Sequence, residues 1–305
     1  MERKVIIILG PTGSGKTKLS LLLAAKLNTE IISADSRQIY KLLNVGTAKP
    51  TETELKSCKH YFIDLILPDQ EYNVSKFEND TLKIINDLQV RSKIPLVVGG
   101  SGLYIKSLID GIFNTVDTDE DYRIYLKKLI DEKGKEYLYN LLKEKDPVSA
   151  EKMLPQNWKR IIRCLEVIHL TGEPIWKHQQ DYTRQDELEF IQFGLNWERH
   201  QLYDRINFRV DKMIENGLVQ EVEILLNLGY NKNLNSLNTV GYKEIISYLN
   251  KEISLDRAIE LIKRNTRHYA KRQLTWFRKD DRIKWLDIET ESDLDTLTEE
   301  IMNIL

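Results

Sequence analysis

Short β-branched runs alternate with longer stretches of helical period through the first third of the chain. "KVIIILG" (Lys4 to Gly10) is apolar at every position after its lysine, the pattern of a strand buried on both faces of a parallel sheet. A helix is predicted to open at Gly15-Lys16 and to run through "LSLLLAAKL". "EIISADS" (Glu30 to Ser36) predicts a second strand with a polar end, and "YFIDLI" (Tyr61 to Ile66) a third. A helix follows near Ser75, where Phe77, Leu82, Ile85 and Leu88 fall at helical spacing. "IPLVVGGSGLYIKSLI" then reads as strand, glycine turn and helix. Strands alternating with helices predict a parallel sheet covered on both faces.

The pattern changes near Asp117. From there to about Gln185 only helical periodicity is present, which predicts a helical insertion. "EFIQFGLN" (Glu189 to Asn196) returns to strand character, and "IKWLDI" (Ile283 to Ile288) predicts a last strand. Long helices are predicted from about Glu198 to Asn227 and from about Ser254 to Lys279. The expected organisation is an α/β core over residues 1–117 and 189–305, with an all-helical insertion domain over 118–188. There is no internal repeat and no low-complexity segment.

Composition narrows the class. At 305 residues and 41% hydrophobic content the chain can bury a sizeable core. A net charge of −2 announces no polyanionic partner, so any basic surface must be local. Cys58 and Cys164 are far apart and outside any ligand spacing, which argues against a zinc site or a disulfide framework. The apolar run after Arg3-Lys4 is too short for a signal peptide, and no stretch approaches the roughly 20 apolar residues that span a membrane. The expectation is a soluble cytoplasmic protein.

One local basic surface stands out. Lys263, Arg264, Arg267, Lys271, Arg272, Arg278 and Lys279 lie in a stretch without acids. At about 100° per residue, Lys263, Arg264, Arg267, Lys271 and Arg278 share one arc. Ile262, Tyr269, Ala270, Trp276 and Phe277 fall mainly on the other side and are expected to face the core. Such a stripe suits a nucleic-acid backbone, the bland alternative being a solvated helix face. Arg205 and Arg209, one turn apart, serve either a site or a salt-bridged face, and Tyr242 either stacks on a base or belongs to the core. His60, His169, His178, His200 and His268 are scattered and read as structural or surface residues.

The chemistry starts at "GPTGSGKT", Gly10, Pro11, Thr12, Gly13, Ser14, Gly15, Lys16 and Thr17. This is a nucleotide-type phosphate loop with a strand before it and a helix after it. Its glycines let backbone N–H groups converge on phosphate oxygens, and the helix N-terminus adds partial positive charge. Lys16 supplies a full charge, and the Thr17 hydroxyl can ligate Mg²⁺. A P-loop NTPase usually carries an apolar strand ending in a metal-holding acid. Here "PLVV" ends in Gly99-Gly100-Ser101, and the acid is Asp35, at the end of the second predicted strand. Asp35 there either holds a water on the metal, accepts a proton from a nucleophile, or caps the following turn.

A phosphate loop followed in order by "IISADSRQIYKLLNVGTAKP", "VVGGSGLYIKSL", "RCLEVIHLTGEP", "RINFRVDKMIENGLVQEV", "TVGYKEIISYL" and "TRHYAKRQLTWFR" resembles the bacterial tRNA dimethylallyltransferases, the tRNA isopentenyltransferase family. The segments cover nearly the whole chain. The resemblance implies a P-loop NTPase-like fold in which the loop holds the diphosphate of dimethylallyl diphosphate rather than ATP. It implies transfer of the dimethylallyl group to the exocyclic amine of the adenosine just 3′ of the anticodon. Mg²⁺ as cofactor, the tRNA anticodon stem-loop as partner and a monomeric state are implied with it.

The resemblance also carries residue roles. Lys16 and Thr17 match the groups on the diphosphate and Mg²⁺, and Asp35 matches the general base. Asp35, Ser36, Arg37 and Gln38 match the stretch that meets the tRNA. Ser101 stands where the family usually has threonine and keeps the hydroxyl, so the same contact is expected. Arg123 matches an arginine near the scissile diphosphate. Ser101, Arg123, Arg267 and Lys271 are expected at the tRNA. Two departures are Arg37, where methionine or alanine is more usual, and Trp158-Lys159, where Asp-Pro-like residues are common. The rival reading from the phosphate loop alone is a small-molecule kinase with a helical lid.

Overall fold

The computed structural model describes residues 3–112, 116–180 and 187–305. The chain divides into two compact units, one of Met1–Ile109 with Glu187–Leu305 and one of Asp110–Asp186. The first division falls earlier than residue 117, at the end of the helix that follows the glycine turn.

The first unit opens with β1 (Lys4–Leu9), α1 (Lys16–Leu27), β2 (Ile31–Ala34), α2 (Glu52–Ser57), β3 (His60–Tyr61), α3 (Val74–Val90), β4 (Leu96–Gly99) and α4 (Gly102–Asp110). The second unit holds α5 (Glu120–Lys133), α6 (Lys135–Lys145), α7 (Pro147–Ala150), α8 (Trp158–Thr171) and α9 (Ile175–Gln180). The chain then returns to the first unit with β5 (Glu189–Trp197), α10 (Arg199–Glu215), α11 (Leu218–Asn227), α12 (Tyr242–Leu249), α13 (Leu255–Phe277), β6 (Ile283–Ile288) and α14 (Asp293–Ile304).

The sheet runs β3-β2-β4-β1-β5-β6 and every pair is parallel. Register aligns the strand ends that matter. Gly99 lies opposite both Leu9 of β1 and Ala34 of β2, so β1, β4 and β2 finish at one level. The strands are buried on both faces, with Val5, Ile7 and Leu9 in one core layer and Ile6 and Ile8 in the other. That explains the near-continuous apolar run of β1. The second unit packs around its own core of Leu126, Leu138, Leu142, Ile161 and Leu165.

Four expectations need correction. "YFIDLI" is not a strand over its length: β3 stops at Tyr61, because Phe62 and Asp64 take left-handed φ of 62° and 53°. The helix predicted over 198–227 is broken at Asn216-Gly217, where Gly217 has φ 91° and caps α11. Tyr269 and Trp276 do not face the core; each is about 40% exposed (38% and 40%), whereas Ile262, Ala270 and Phe277 are buried as expected. The helices α2, α12 and α14 lie where the sequence pattern predicts no element. Among the described residues no helix is long and apolar enough to cross a membrane.

Candidate active site

The site grows from the aligned ends of β1, β4 and β2, where parallel α/β folds place their ligands. Three connections leave side by side: the phosphate loop after β1, Gly100-Ser101 after β4, and Asp35 to Gln38 after β2. Gly99 permits this closeness, because a Cβ there would lie 2.1 Å from the Ala34 carbonyl oxygen.

The loop curls through positive φ at Gly10, Gly13 and Gly15 (153°, 81° and 89°). No side chain caps α1, so its first-turn N–H groups are left for a ligand at the loop. Lys16 folds back across the hollow, its Nζ donating to the carbonyls of Gly10 (3.0 Å) and Pro11 (2.8 Å). Burial, with Arg209 adding repulsion and Asp35 opposing both, pulls the Lys16 ammonium down to about 7. The buried Ser14 hydroxyl has no hydrogen-bond partner among the described residues.

The loop is braced from outside. Trp197 Nε1 donates to the Ser14 carbonyl (2.9 Å), and Arg205 Nε donates to that of Gly13 (2.9 Å). Arg205 also stacks over Trp197 and pairs with Glu291 at 2.7 Å. Arg209, whose guanidinium is pushed down by burial and pulled up by Asp35, adds a second positive charge beside Lys16. Of the two arginines, Arg205 is thus a brace and Arg209 a charge within the site.

Asp35 does cap the turn that follows it: its Oδ1 accepts from the N–H groups of Arg37 (2.8 Å) and Gln38 (3.3 Å). No hydrogen bond among the described residues uses its Oδ2. One carboxylate oxygen is therefore structural and the other is available to accept a proton. Ser101 joins the two neighbouring turns, with Oγ accepting from Ser36 N at 3.0 Å and lying 3.3 Å from Ser36 Oγ. Arg37 Nη1 donates to the Asn235 carbonyl (2.7 Å), and Gln38 Nε2 donates to the carbonyls of Thr47 and Ala48. These two side chains shape the loop rather than project from it.

Gln273 and Tyr269, both from α13, complete the wall; Gln273 was not singled out in the sequence, and Tyr269 was expected to face the core instead. Gln273 Oε1 accepts from Thr12 N and its Nε2 donates to the Gly100 carbonyl, both at 2.9 Å. The Tyr269 hydroxyl is pushed up to about 12, by burial first and the Asp35 charge second. The signal was present, since both residues lie in "TRHYAKRQLTWFR", but polarity alone does not separate a wall residue from a surface one.

The basic stripe splits. Lys263 pairs with Asp211 at 2.6 Å, and Arg267 Nη1 donates to Asn207 Oδ1 at 2.6 Å, so both turn towards α10. His268, Lys271, Arg272, Thr275, Trp276 and Lys279 instead line an open groove along α13. Tyr242 proves to be core: its ring is fully buried and its hydroxyl donates to Glu221 (2.6 Å). Glu221 in turn accepts from the N–H groups of Asn44, Val45 and Gly46, which anchors the loop after Gln38.

Arg123 lies in the second unit, held by the buried Glu166 through Nε (2.7 Å) and Nη2 (3.1 Å). Glu166 also accepts from Arg163 Nη1 (2.6 Å) and Asp119 N (2.9 Å). Burial favours its neutral form, but the bonds from Arg163 and Arg123 prevail and hold it below the usual carboxylate range.

This geometry can be set against known proteins. The family model for IPP transferase matches residues 38–280. The chain belongs to the IPP transferase family. It is 50% identical over 285 residues to the tRNA dimethylallyltransferase of Acetivibrio thermocellus, covering 93% of this chain and 91% of that one. It is 46% identical over 309 residues to the enzyme of the same name from Thermoanaerobacter sp., covering 100% and 98%. Among solved structures it is similar to the tRNA isopentenylpyrophosphate transferase of Bacillus halodurans, with a TM-score of 0.73 and 37% identity over 99% of this chain and 96% of that one. It is also similar to a eukaryotic dimethylallyltransferase acting on tRNA, with a TM-score of 0.81 and 30% identity over 98% and 77%. The fold is thus the P-loop NTPase-like one expected, and family membership sets the kinase reading aside.

Proposed function

We propose that this IPP transferase family member moves a dimethylallyl group from dimethylallyl diphosphate to the exocyclic amine of the adenosine immediately 3′ of the anticodon in tRNA. A carbon–nitrogen bond forms, the carbon–oxygen bond to the diphosphate breaks, and the products are the prenylated adenosine, pyrophosphate and a proton. The observation that supports this best is Asp35 with one carboxylate oxygen uncommitted, on the strand-end level of the phosphate loop. A phosphate loop beside a base, rather than beside a hydrolytic acid, suits alkyl transfer.

In this reading the loop N–H groups and Lys16 bind the diphosphate and stabilise the charge that grows on it as the bond breaks. Arg209 adds positive charge beside Lys16. Asp35 Oδ2 orients the adenine amine and takes its proton, which the amine loses as its lone pair becomes committed to the new bond. Ser101, hydrogen-bonded to Ser36, holds the turn that carries Asp35. Lys271 and its neighbours on α13 meet the RNA backbone, and a single-stranded loop lets the target base be splayed out.

The site also fits Mg²⁺. Among the described residues there is no cluster of His, Cys, Asp and Glu to cage a metal, while Thr17 offers a hydroxyl at the helix start and Ser14 an unpartnered one. A hard ion sharing phosphate oxygens with one or two protein oxygens suits such a donor set. Bound with the donor, it would neutralise charge on the leaving diphosphate. The reading takes the chain to be a cytoplasmic monomer.

Mass analysis of nucleosides from tRNA incubated with the protein, Mg²⁺ and dimethylallyl diphosphate tests the reading. The expected product is adenosine carrying one added dimethylallyl group at a single position. Unmodified adenosine throughout would overturn it.

A further inference from the structure

Gln273 is nearly buried and spends both ends of its amide on backbone. Oε1 holds the N–H of Thr12 in the phosphate loop, and Nε2 holds the carbonyl of Gly100, each at 2.9 Å. A Cβ at Gly100 would lie 2.4 Å from Nε2, so the turn after β4 is closed onto this side chain. One turn further along α13, Trp276 closes on the same segment: a Cβ at Gly102 would lie 2.4 Å from its ring. The two contacts bracket Ser101, whose hydroxyl accepts from Ser36 N beside Asp35. One helix therefore touches the donor loop, the Ser101 turn and, through Ser101, the turn that carries the base.

The outer side of that same stretch is the open groove of His268, Lys271, Arg272, Thr275, Trp276 and Lys279. Trp276 belongs to both sides. It lines the groove, is 40% exposed, and packs on Gly102. A ligand that seats on the groove bears on the helix whose inner face carries Gln273.

We propose that Gln273 is a positioning residue that couples occupancy of the α13 groove by RNA to the binding of diphosphate in the loop. Both polar ends of Gln273 are spent on backbone, so it acts through Thr12 and Gly100. It fixes where Thr12 N–H sits relative to Gly100, and α13 sets where Gln273 sits. This inference rests on the reading of the site as one for an RNA acceptor and a diphosphate donor. Coupling of this kind is reciprocal, and factors of about 5 to 150 are typical.

The test measures the affinity of inorganic pyrophosphate, with Mg²⁺, by calorimetry in the absence and presence of a saturating anticodon stem-loop RNA. In the unaltered protein RNA is expected to tighten pyrophosphate binding by at least about fivefold. Gln273→Met keeps the length and loses both hydrogen bonds; each ligand is expected still to bind, with the ratio reduced to about one. Gln273→Glu keeps the acceptor for Thr12 N and loses the donor to Gly100, and an intermediate ratio is expected; it carries the test if the methionine variant does not fold. A full ratio in either folded variant, alongside lowered thermal midpoints, would mean a merely structural role and overturn the proposal. A ratio of one in the unaltered protein would also overturn it. Failure of the unaltered protein to bind pyrophosphate or RNA at all would instead overturn the functional reading beneath it.

Discussion

At the scale of single residues, charge state decides behaviour. Burial and the Arg209 charge, against the pull of Asp35, lower the Lys16 ammonium to about 7. A bound diphosphate restores the incentive to be charged, so binding above pH 7 must take up a proton. Donor affinity in the absence of RNA is therefore expected to fall as pH rises from about 7, by up to about tenfold per unit. Below pH 7 Lys16 is already protonated and contributes no slope. Calorimetry in buffers of different ionisation heat checks this, and Lys16→Ala should remove the proton uptake. Asp35 gives a second test. In Asp35→Asn the side-chain carbonyl can still accept from Arg37 N and Gln38 N, so the thermal midpoint should barely move. The basic oxygen is lost, and single-turnover transfer should fall by ~10²- to 10⁴-fold. The residue types at both positions were legible in the sequence, since a glycine-rich loop before Lys-Thr and an acid at a strand end each state their chemistry. That Asp35 caps its turn with one oxygen while leaving the other uncommitted was not legible, because it depends on the path of the Ser36–Gln38 backbone.

At the scale of elements, hydrophobic periodicity identified those buried on both faces and failed where the chain turns locally. β1 and β4 are apolar because both core layers press on them. "YFIDLI" is also largely apolar but does not share that fate. Lys49 reaches Asp64 and the Tyr40 carbonyl, and the backbone at Phe62 and Asp64 turns left-handed. The 198–227 run keeps its apolar spacing across Asn216-Gly217, so period alone hides the break that glycine makes. For α2 a signal was available: Thr51 and Glu54 form a capping box. The tightest element contact gives a prediction. Gly99→Ala drives a methyl into the Ala34 carbonyl and forces β2 and β4 apart. A loss of ~3 kcal/mol is expected in chemical denaturation. Activity should fall with it, because Asp35 and Ser101 hang from those strand ends.

At the scale of the molecule, a net charge of −2 conceals a local cationic groove on α13. The sequence placed Arg267 and Lys271 together on one arc, but only contacts reveal that Asn207 draws Arg267 inwards while Lys271 stays exposed. Lys271→Gln should lower the log–log salt slope of tRNA affinity by about one, uniformly across tRNAs. Arg267→Gln should change the thermal midpoint more than the slope; equal loss of slope in both would show that Arg267 reaches the RNA. The central claim is that a phosphate loop of NTPase type here serves carbon transfer to RNA. The most direct measurement supplies carbon-labelled dimethylallyl diphosphate and ATP labelled in its terminal phosphate together, with tRNA and Mg²⁺, and follows both labels. The account predicts carbon label in the RNA, equimolar pyrophosphate and intact ATP. Terminal phosphate released or transferred, with no carbon label in the RNA, would contradict it.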